Sequence, residues 1–407
     1  MRSKLHYGWI ICVGCLLLHA CTCGLTATCF SAYLPYIKTA LALNNTQTSL
    51  IVTMRSLSSM LAMLTCNRYY KLFSLRIGVV VSCLFLVVSC LMFAWASSIF
   101  MCYLAAAIMG IAYAYGTMVP ISFFMRNWFA DRRSTALAIA ACGSGVTTAI
   151  APTIITNSTE TFGLTRTFLA EAGIVAVCAA LLFLILRDSP ADLNLAPYRQ
   201  GDRQKEKQQK APALRDVNLS RRETRLLMFT ILLVGCLGAP YLSHLTLHYR
   251  NVGYTSTQTA AALSMIGIVM IGGKFLFGVA SDRFGSYRIN YLFLGSWLLA
   301  CGVTTMLNGV SLELLYFATF LSGIGISLGT IGITVWVGDL SSEENYAKNI
   351  TSSQFAFSLG ALVWSPIPGI LADLTGGYEA AYVIFGVMVA LTMIIVQAIY
   401  RRHVNRD

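Results

Sequence analysis

NWFADRRSTALAIAACGSG, from Asn127 to Gly145, sets an Asp-Arg-Arg cluster directly against a weakly polar run of small residues that continues to Ile155. A charge cluster at the mouth of such a run is the expected end of a membrane helix, because about 20 residues of helix cross about 30 Å of hydrocarbon. Comparable runs recur along the chain, each bounded by short polar breaks. Of the 407 residues, 57% are hydrophobic and 11% charged, against about 25% charged in soluble domains. No soluble fold hides that much apolar surface, so the chain reads as an all-α polytopic membrane protein.

Twelve spans are expected, at 8–36, 46–68, 75–95, 99–128, 134–155, 167–186, 226–249, 255–280, 288–307, 312–337, 346–371 and 378–399. The basic start, Met1-Arg2-Ser3-Lys4, is signal-like, but its span is long and is followed by the others, so it is expected to be retained. One long hydrophilic stretch, 188–225, divides the chain into a six-helix bundle at 1–187 and a second at 226–407. It is rich in Lys and Arg, poor in large apolar residues, and reads as a solvated linker.

Basic loops stay on the cytoplasmic side of a membrane. With both termini placed there, 24 of the 29 Lys and Arg are cytoplasmic, Lys38, Arg166 and Arg250 lie outside, and Arg55 and Lys274 lie within spans. The net charge of +12 is then matched to anionic headgroups, and no nucleic-acid partner is implied. A multi-pass protein of the cell (inner or plasma) membrane is expected. The 13 cysteines lie mostly in apolar runs, where a thiol acts as a small hydrophobe; the Cys12/Cys15 pair has no second pair beside it and reads as packing. There is no catalytic cluster, nucleotide-binding glycine loop or metal set, so neither an enzyme nor a cofactor is expected. No soluble signalling domain points to a sensor.

The halves resemble one another in one place. GVASDRFGSYR, Gly278 to Arg288, follows the eighth span, and the weaker NRYYKLFSLR, Asn67 to Arg76, follows the second. Laying Asp282-Arg283-Phe284-Gly285 on Lys71-Leu72-Phe73-Ser74 loses the charges and keeps the position. Duplicated halves around a central loop are how many secondary transporters are built, with substrate near the midplane between them.

The pattern Gly278-x-x-x-Asp282-Arg283-Phe284-Gly285 resembles the signature loop of the major facilitator superfamily, and the span layout agrees over the whole chain. Trp128-Phe129, Asp131-Arg132-Arg133, Ala138, Ala140, Gly143 and Gly145 are similar to the start of the fifth helix in monocarboxylate and oxalate/formate-type transporters. Ser365-Pro366, Gly369, Asp373, Thr375-Gly376 and Tyr378 resemble the close of the eleventh. Together they identify the chain as similar to a prokaryotic-type member of the monocarboxylate transporter-like group. Asp131 suits a helix N-terminus, Arg132 and Arg133 anchor to headgroups, and the small residues that follow permit close helix contact. Asp282 and Arg283 are expected to latch neighbouring helices in one conformation.

Charges inside a span are costly and usually functional. Lys274 lies eight residues before Asp282, about 12 Å deeper at helical rise. It has no carboxylate at helical spacing, Met270 standing one turn earlier, and a buried ammonium takes an anion. By resemblance, Lys274 occupies the place of an arginine that holds the substrate carboxylate, whereas the aspartate that animal members carry at Met270 is missing. Lysine titrates readily when desolvated, which makes Lys274 a proton-coupling candidate; a snorkelling structural lysine is the alternative.

Arg55 lies farther from its loop than Lys274 from its own, by about 12 Å, so it reads as an outer attractor or a helix-pairing residue. His244 stands thirty residues before Lys274, as a histidine does in bacterial relatives; it is a candidate hydrogen-bond donor or proton carrier, with simple helix bonding as the alternative. His248, one turn on, is expected at the interface. Tyr113 and Tyr115 point to different faces of one helix; Tyr115 is the candidate cavity hydroxyl, and packing explains either equally well. The second cation that oxalate/formate exchangers place on their eleventh helix falls on Ser358. One central cation suits a monocarboxylate. The expectation is therefore alternating-access transport of a small lactate- or pyruvate-like anion with a proton, by a monomer. The alternative is organic-anion or dicarboxylate exchange for a counter-anion, engaging Arg55.

Overall fold

The computed structural model describes residues 6–130, 133–199, 219–341 and 343–403. In chain order the helices are α1 (Tyr7–His19), α2 (Leu34–Ala40), α3 (Asn45–Leu72), α4 (Leu75–Ala94), α5 (Ile99–Gly116), α6 (Met118–Trp128), α7 (Arg133–Ala141), α8 (Gly143–Phe162) and α9 (Leu164–Ile185). They continue as α10 (Arg221–Leu237), α11 (Ala239–Asn251), α12 (Ser256–Phe284), α13 (Ser286–Thr305), α14 (Leu312–Asp339), α15 (Glu343–Trp364), α16 (Ile367–Thr375) and α17 (Glu379–His403). No strand occurs among the described residues, only a bridge between Phe129 and Tyr198. This is the expected all-α polytopic fold.

Among the described residues, eleven helical segments are long and apolar enough to cross a membrane. The remaining expected span, 288–307, is the 20-residue helix α13. Arg288 and Asn290 raise its polarity, and the fold absorbs some of that: Asn290 Oδ1 accepts the indole N–H of Trp336 at 2.9 Å, while Gln397 donates to the Tyr287 carbonyl at 2.9 Å. Helix starts follow capping chemistry. Ser74, Ser98 and Ser311 cap α4, α5 and α14, and Ser220/Glu223 and Thr255/Gln258 form capping boxes on α10 and α12.

Several spans are broken midway. α5 gives way to α6 at Thr117, α7 to α8 at Cys142, α10 to α11 at Gly238 and α15 to α16 at Ser365-Pro366. Pro120, Pro240 and Pro366 lie at or just after these breaks; each removes a helix donor and crowds the preceding turn. The first span changes character without breaking: α1 runs into a π-helical segment, Ala20–Cys29, a geometry common at functional sites.

The chain divides into two compact units, one of Met1–Phe30 with Met54–Ala211, the other of Ser31–Thr53 with Pro212–Asp407. The small-residue run of the opening stretch works in the first unit. A Cβ on Gly143 would fall 2.2 Å from the Leu16 carbonyl oxygen, so α8 and α1 meet backbone to backbone, as membrane helices do where small residues allow. The second unit uses the same device: a Cβ on Gly360 of α15 would fall 2.1 Å from the Leu232 carbonyl oxygen of α10. On α9, Ile174, Val177, Leu181 and Leu184 are exposed and form the lipid face, whereas Phe168, Glu171, Ala172, Val175, Ala179 and Leu182 are buried.

Candidate functional site

Among the described residues, each unit buries one Lys or Arg within a span. In the first, Arg55 sits near the middle of α3 and is 4% exposed. Its guanidinium donates to the Thr26 carbonyl in the π-helical segment and lies 6.0 Å from the Phe30 ring centroid. Tyr113 of α5 and Cys23 are its electrostatic neighbours. A carbonyl and a ring face supply part of what water would give a guanidinium, the ring contributing about 0.5 to 2 kcal/mol, but neither carries negative charge. Such a group attracts an anion. Its position is fixed by close packing: a Cβ on Gly110 of α5 would fall 2.2 Å from the Arg55 carbonyl oxygen.

Tyr115 is elsewhere. Its hydroxyl meets Thr65 Oγ1 at 2.7 Å, its ring stacks on Tyr69 at 4.0 Å, and its carbonyl accepts from the Tyr70 hydroxyl. The structure makes Tyr113 an electrostatic neighbour of Arg55 and gives Tyr115 to an aromatic cluster with Tyr69 and Tyr70. The two tyrosines do lie on different faces of α5, but which face meets the cation depends on how α3 packs against it, which the sequence does not carry.

In the second unit, Lys274 lies on α12 and is 8% exposed. The preceding residue, Gly273, seats the crossing of α12 with α14: a Cβ there would fall 2.4 Å from Ser327 Oγ. Ser327 in turn donates to the carbonyls of Met270 and Gly323, at 3.2 and 2.7 Å. One turn beyond Gly273, Phe277 packs edge-on against Phe293 at 5.0 Å. The ammonium therefore springs from a rigid, backbone-to-side-chain helix contact.

His244, on α11, is fully buried. Nδ1 pairs with the Pro240 carbonyl at 2.8 Å and Nε2 with Ser49 Oγ at 2.8 Å. The carbonyl can only accept, so Nδ1 carries the proton of the neutral ring and Ser49 donates to Nε2. His248, in the last turn of α11, is buried too, donating through Nε2 to the Thr304 carbonyl at 2.9 Å. Tyr378 lies beside both rings, at 5.9 and 6.5 Å.

The motif at 365–378 acts in the same unit. Asp373 accepts the backbone N–H groups of Asn45 and Thr46, at 3.0 and 2.7 Å, and the Thr46 hydroxyl at 2.5 Å, capping the first turn of α3. Tyr378 donates to Asn45 Oδ1 at 3.1 Å. Gly376, with φ +82°, ends α16 in the left-handed region.

Of the signature-loop residues, Gly285 takes φ +82° and turns α12 into α13, its N–H donating to the Ser281 carbonyl at 2.9 Å. The side chains of Asp282 and Arg283, the surroundings of Gly278 and the side chain of Arg133 lie outside the described set, as do Asp131 and Arg132 altogether. At the weaker counterpart, Arg76 is anchored within the first unit. Its backbone N–H donates to Asp188 at 2.6 Å, and its guanidinium lies 3.9 Å from the Phe183 ring centroid.

The sequence profile of the Major Facilitator Superfamily matches residues 16–310 and 250–406. The chain belongs to the major facilitator superfamily. Among similar proteins are monocarboxylate transporter 12 of Rattus norvegicus, 27% identical and covering 93% of this chain and 82% of that protein, and monocarboxylate transporter 12 of Homo sapiens, 26% identical and covering 93% and 78%. These relatives bear out the resemblance to the monocarboxylate transporter-like group. Solved major facilitator structures share the fold. A bacterial homolog of the human lysosomal transporter Spinster superposes with a TM-score of 0.75 at 12% identity, over 99% of both chains. A D-xylose–proton symporter gives 0.71 at 14% identity, over 96% of both. This major facilitator protein is thus a multi-pass membrane transporter acting on a small molecule.

One charged residue within a span was not among the sequence candidates. Glu171 of α9 is 8% exposed, a carboxylate within an apolar run whose signal was the same as that of Arg55.

Proposed function

We propose that this protein is a secondary active transporter of small monocarboxylates of the lactate or pyruvate kind, working by alternating access with a proton as the coupled ion. It acts in the cell membrane as a monomer with both termini cytoplasmic. Lys274 carries the reading: a buried ammonium on a helix held rigid at Gly273 is built to bind one negative charge. An anion beside it replaces the water the ammonium has lost, and burial strengthens that attraction. The likeness to monocarboxylate transporter 12 supports a carboxylate as that anion. His244, with Nε2 turned to a serine hydroxyl, serves as a polar positioning group.

Arg55 favours a second reading. A second buried cation with an adjacent phenol suits a dicarboxylate or larger organic anion, exchanged for a counter-anion. Liposomes carrying the purified protein separate the two. An inward proton gradient should drive uptake of labelled lactate or pyruvate without internal anion. Uptake that appears only with a preloaded anion, and prefers oxalate, would replace symport with exchange.

A further inference from the structure

Among the described residues, Glu171 is set apart from the other carboxylates of the membrane helices. Glu160, Glu223, Glu313, Asp339, Asp373 and Glu379 lie in the first or last turn of their helices. Glu171 lies seven residues past Leu164, the first residue of α9, about 10 Å into the helix at ordinary rise. It belongs to the buried stripe of α9 with Phe168, Ala172 and Val175, and not to the lipid face.

Its surroundings come from the first span and from α4. Cys21 and Cys29 of the π-helical segment and Cys90 of α4 interact with it electrostatically. The other ionisable groups described on elements packed against α9 are Cys83 of α4, linked through Cys178 with Cys21, Cys12, Cys15 and the buried His19 of α1, whose Nδ1 accepts the Ser144 N–H at 3.3 Å, and groups near helix ends: Arg76, held by Asp188 and Phe183, Tyr7, donating to the Ile185 carbonyl, and Glu160 of α8. A row of rings leads from this turn to the buried arginine. Phe168 stacks on Phe93 at 5.3 Å, Phe93 meets Phe30 at 5.2 Å, and Phe30 lies under Arg55. The π-helical segment therefore has a carboxyl group on one side, through Cys21 and Cys29, and a guanidinium on the other, through Thr26 and Cys23.

We propose that Glu171 is the proton-binding site that couples anion movement to the proton gradient. The inference rests on the symport reading above and gives it a residue. A charged carboxylate is costly at membrane depth, and a proton removes that charge. Protonated, Glu171 is compatible with the closed packing of α9 on the first span; deprotonated, it drives that packing to open toward water, where the next proton is taken. One proton and one monocarboxylate cross together, so no net charge moves. The wide turns of the π-helical segment are the element both charged groups bias.

The test uses the full chain in liposomes and in detergent. With an inward gradient of one pH unit, wild type should accumulate labelled pyruvate about tenfold, the limit for one proton per anion. Glu171→Gln should keep pyruvate–pyruvate exchange near wild-type rates and lose accumulation, and Glu171→Asp should restore part of it. Accumulation by Glu171→Gln equal to wild type would overturn the proposal. A second readout needs no substrate: infrared titration of the purified protein should show a protonated-carboxyl band in wild type that is missing from Glu171→Gln. Identical titrations would overturn the proposal whatever the substrate. Wild type that neither exchanges nor accumulates any monocarboxylate would defeat the transport reading, and the infrared titration would still decide the proton site.

Discussion

Asp373 and Thr46 are 327 residues apart in sequence, yet the Asp373 carboxylate accepts the Thr46 backbone N–H at 2.7 Å. With the Asn45 N–H and the Thr46 hydroxyl it satisfies the first donors of α3, beside the Gln47 N–H that Asn44 Oδ1 accepts at 2.7 Å, and its negative charge sits at the positive end of that helix dipole. The motif that resembled the close of the eleventh helix is, in physical terms, a capping device supplied from α16.

Removing that cap should cost stability. Asp373→Ala is expected to destabilise the protein by about 1 to 2 kcal/mol, the usual loss for a helix cap, and Asp373→Asn by less because an acceptor oxygen remains. Thermal unfolding of the detergent-purified variants reads this as a lower midpoint for alanine than for asparagine. Equal midpoints would show that the contact does not hold α3.

Neighbouring glycines on α12 make a matched pair. A Cβ on Gly272 meets nothing within 4 Å, whereas one on Gly273 falls 2.4 Å from Ser327 Oγ and 3.0 Å from its Cβ. Gly272→Ala should leave transport and stability near wild type. Gly273→Ala must push α14 away from the turn that carries Lys274, lowering uptake, with overpacking costing about 1 to 3 kcal/mol. The double variant Gly273→Ala with Ser327→Gly should recover part of both losses.

The tyrosines of α5 separate by partner. Tyr113→Phe removes a hydroxyl that interacts electrostatically with Arg55 and should raise the apparent KM for anion uptake. Tyr115→Phe gives up a hydroxyl contact to Thr65, worth about 1 kcal/mol, and should lower the unfolding midpoint slightly with KM unchanged. The reverse pattern would return Tyr115 to the site.

Arg55 distinguishes the two substrate readings. Arg55→Lys keeps the charge and loses the planar guanidinium. If Arg55 is an attractor for monocarboxylates, the lysine variant should transport them with modestly reduced affinity. If it grips a second carboxylate, oxalate exchange should collapse in Arg55→Lys while lactate is spared.

The sequence makes Arg55 and Lys274 legible because a charge in an apolar run announces itself. Glu171, in TFLAEAGIV, carries the same signal, but a search for cations that hold an anion passes over it. The small-residue run after Asp131 correctly implies backbone-close packing, since nothing else explains so many Ala, Gly and Ser in lipid. The helix phase that gives Tyr113 rather than Tyr115 to Arg55 is set by the Gly110 contact, and no periodicity within α5 specifies it. His248 is buried because the Thr304 carbonyl of α13 meets its Nε2, a contact supplied by another helix. The π-helical segment ACTCGLTATC has no local signature beyond small and β-branched residues; its extra width is stabilised by partners such as Arg55 at Thr26 and Thr147 at Ala20.

If Lys274 holds the transported carboxylate, uptake depends on its charge. The most direct measurement is uptake of labelled pyruvate into liposomes under an inward proton gradient by wild type, Lys274→Arg and Lys274→Ala, each first checked for wild-type folding. Uptake abolished by alanine and partly kept by arginine, with a raised KM, is the predicted result. Normal uptake by Lys274→Ala would contradict the account.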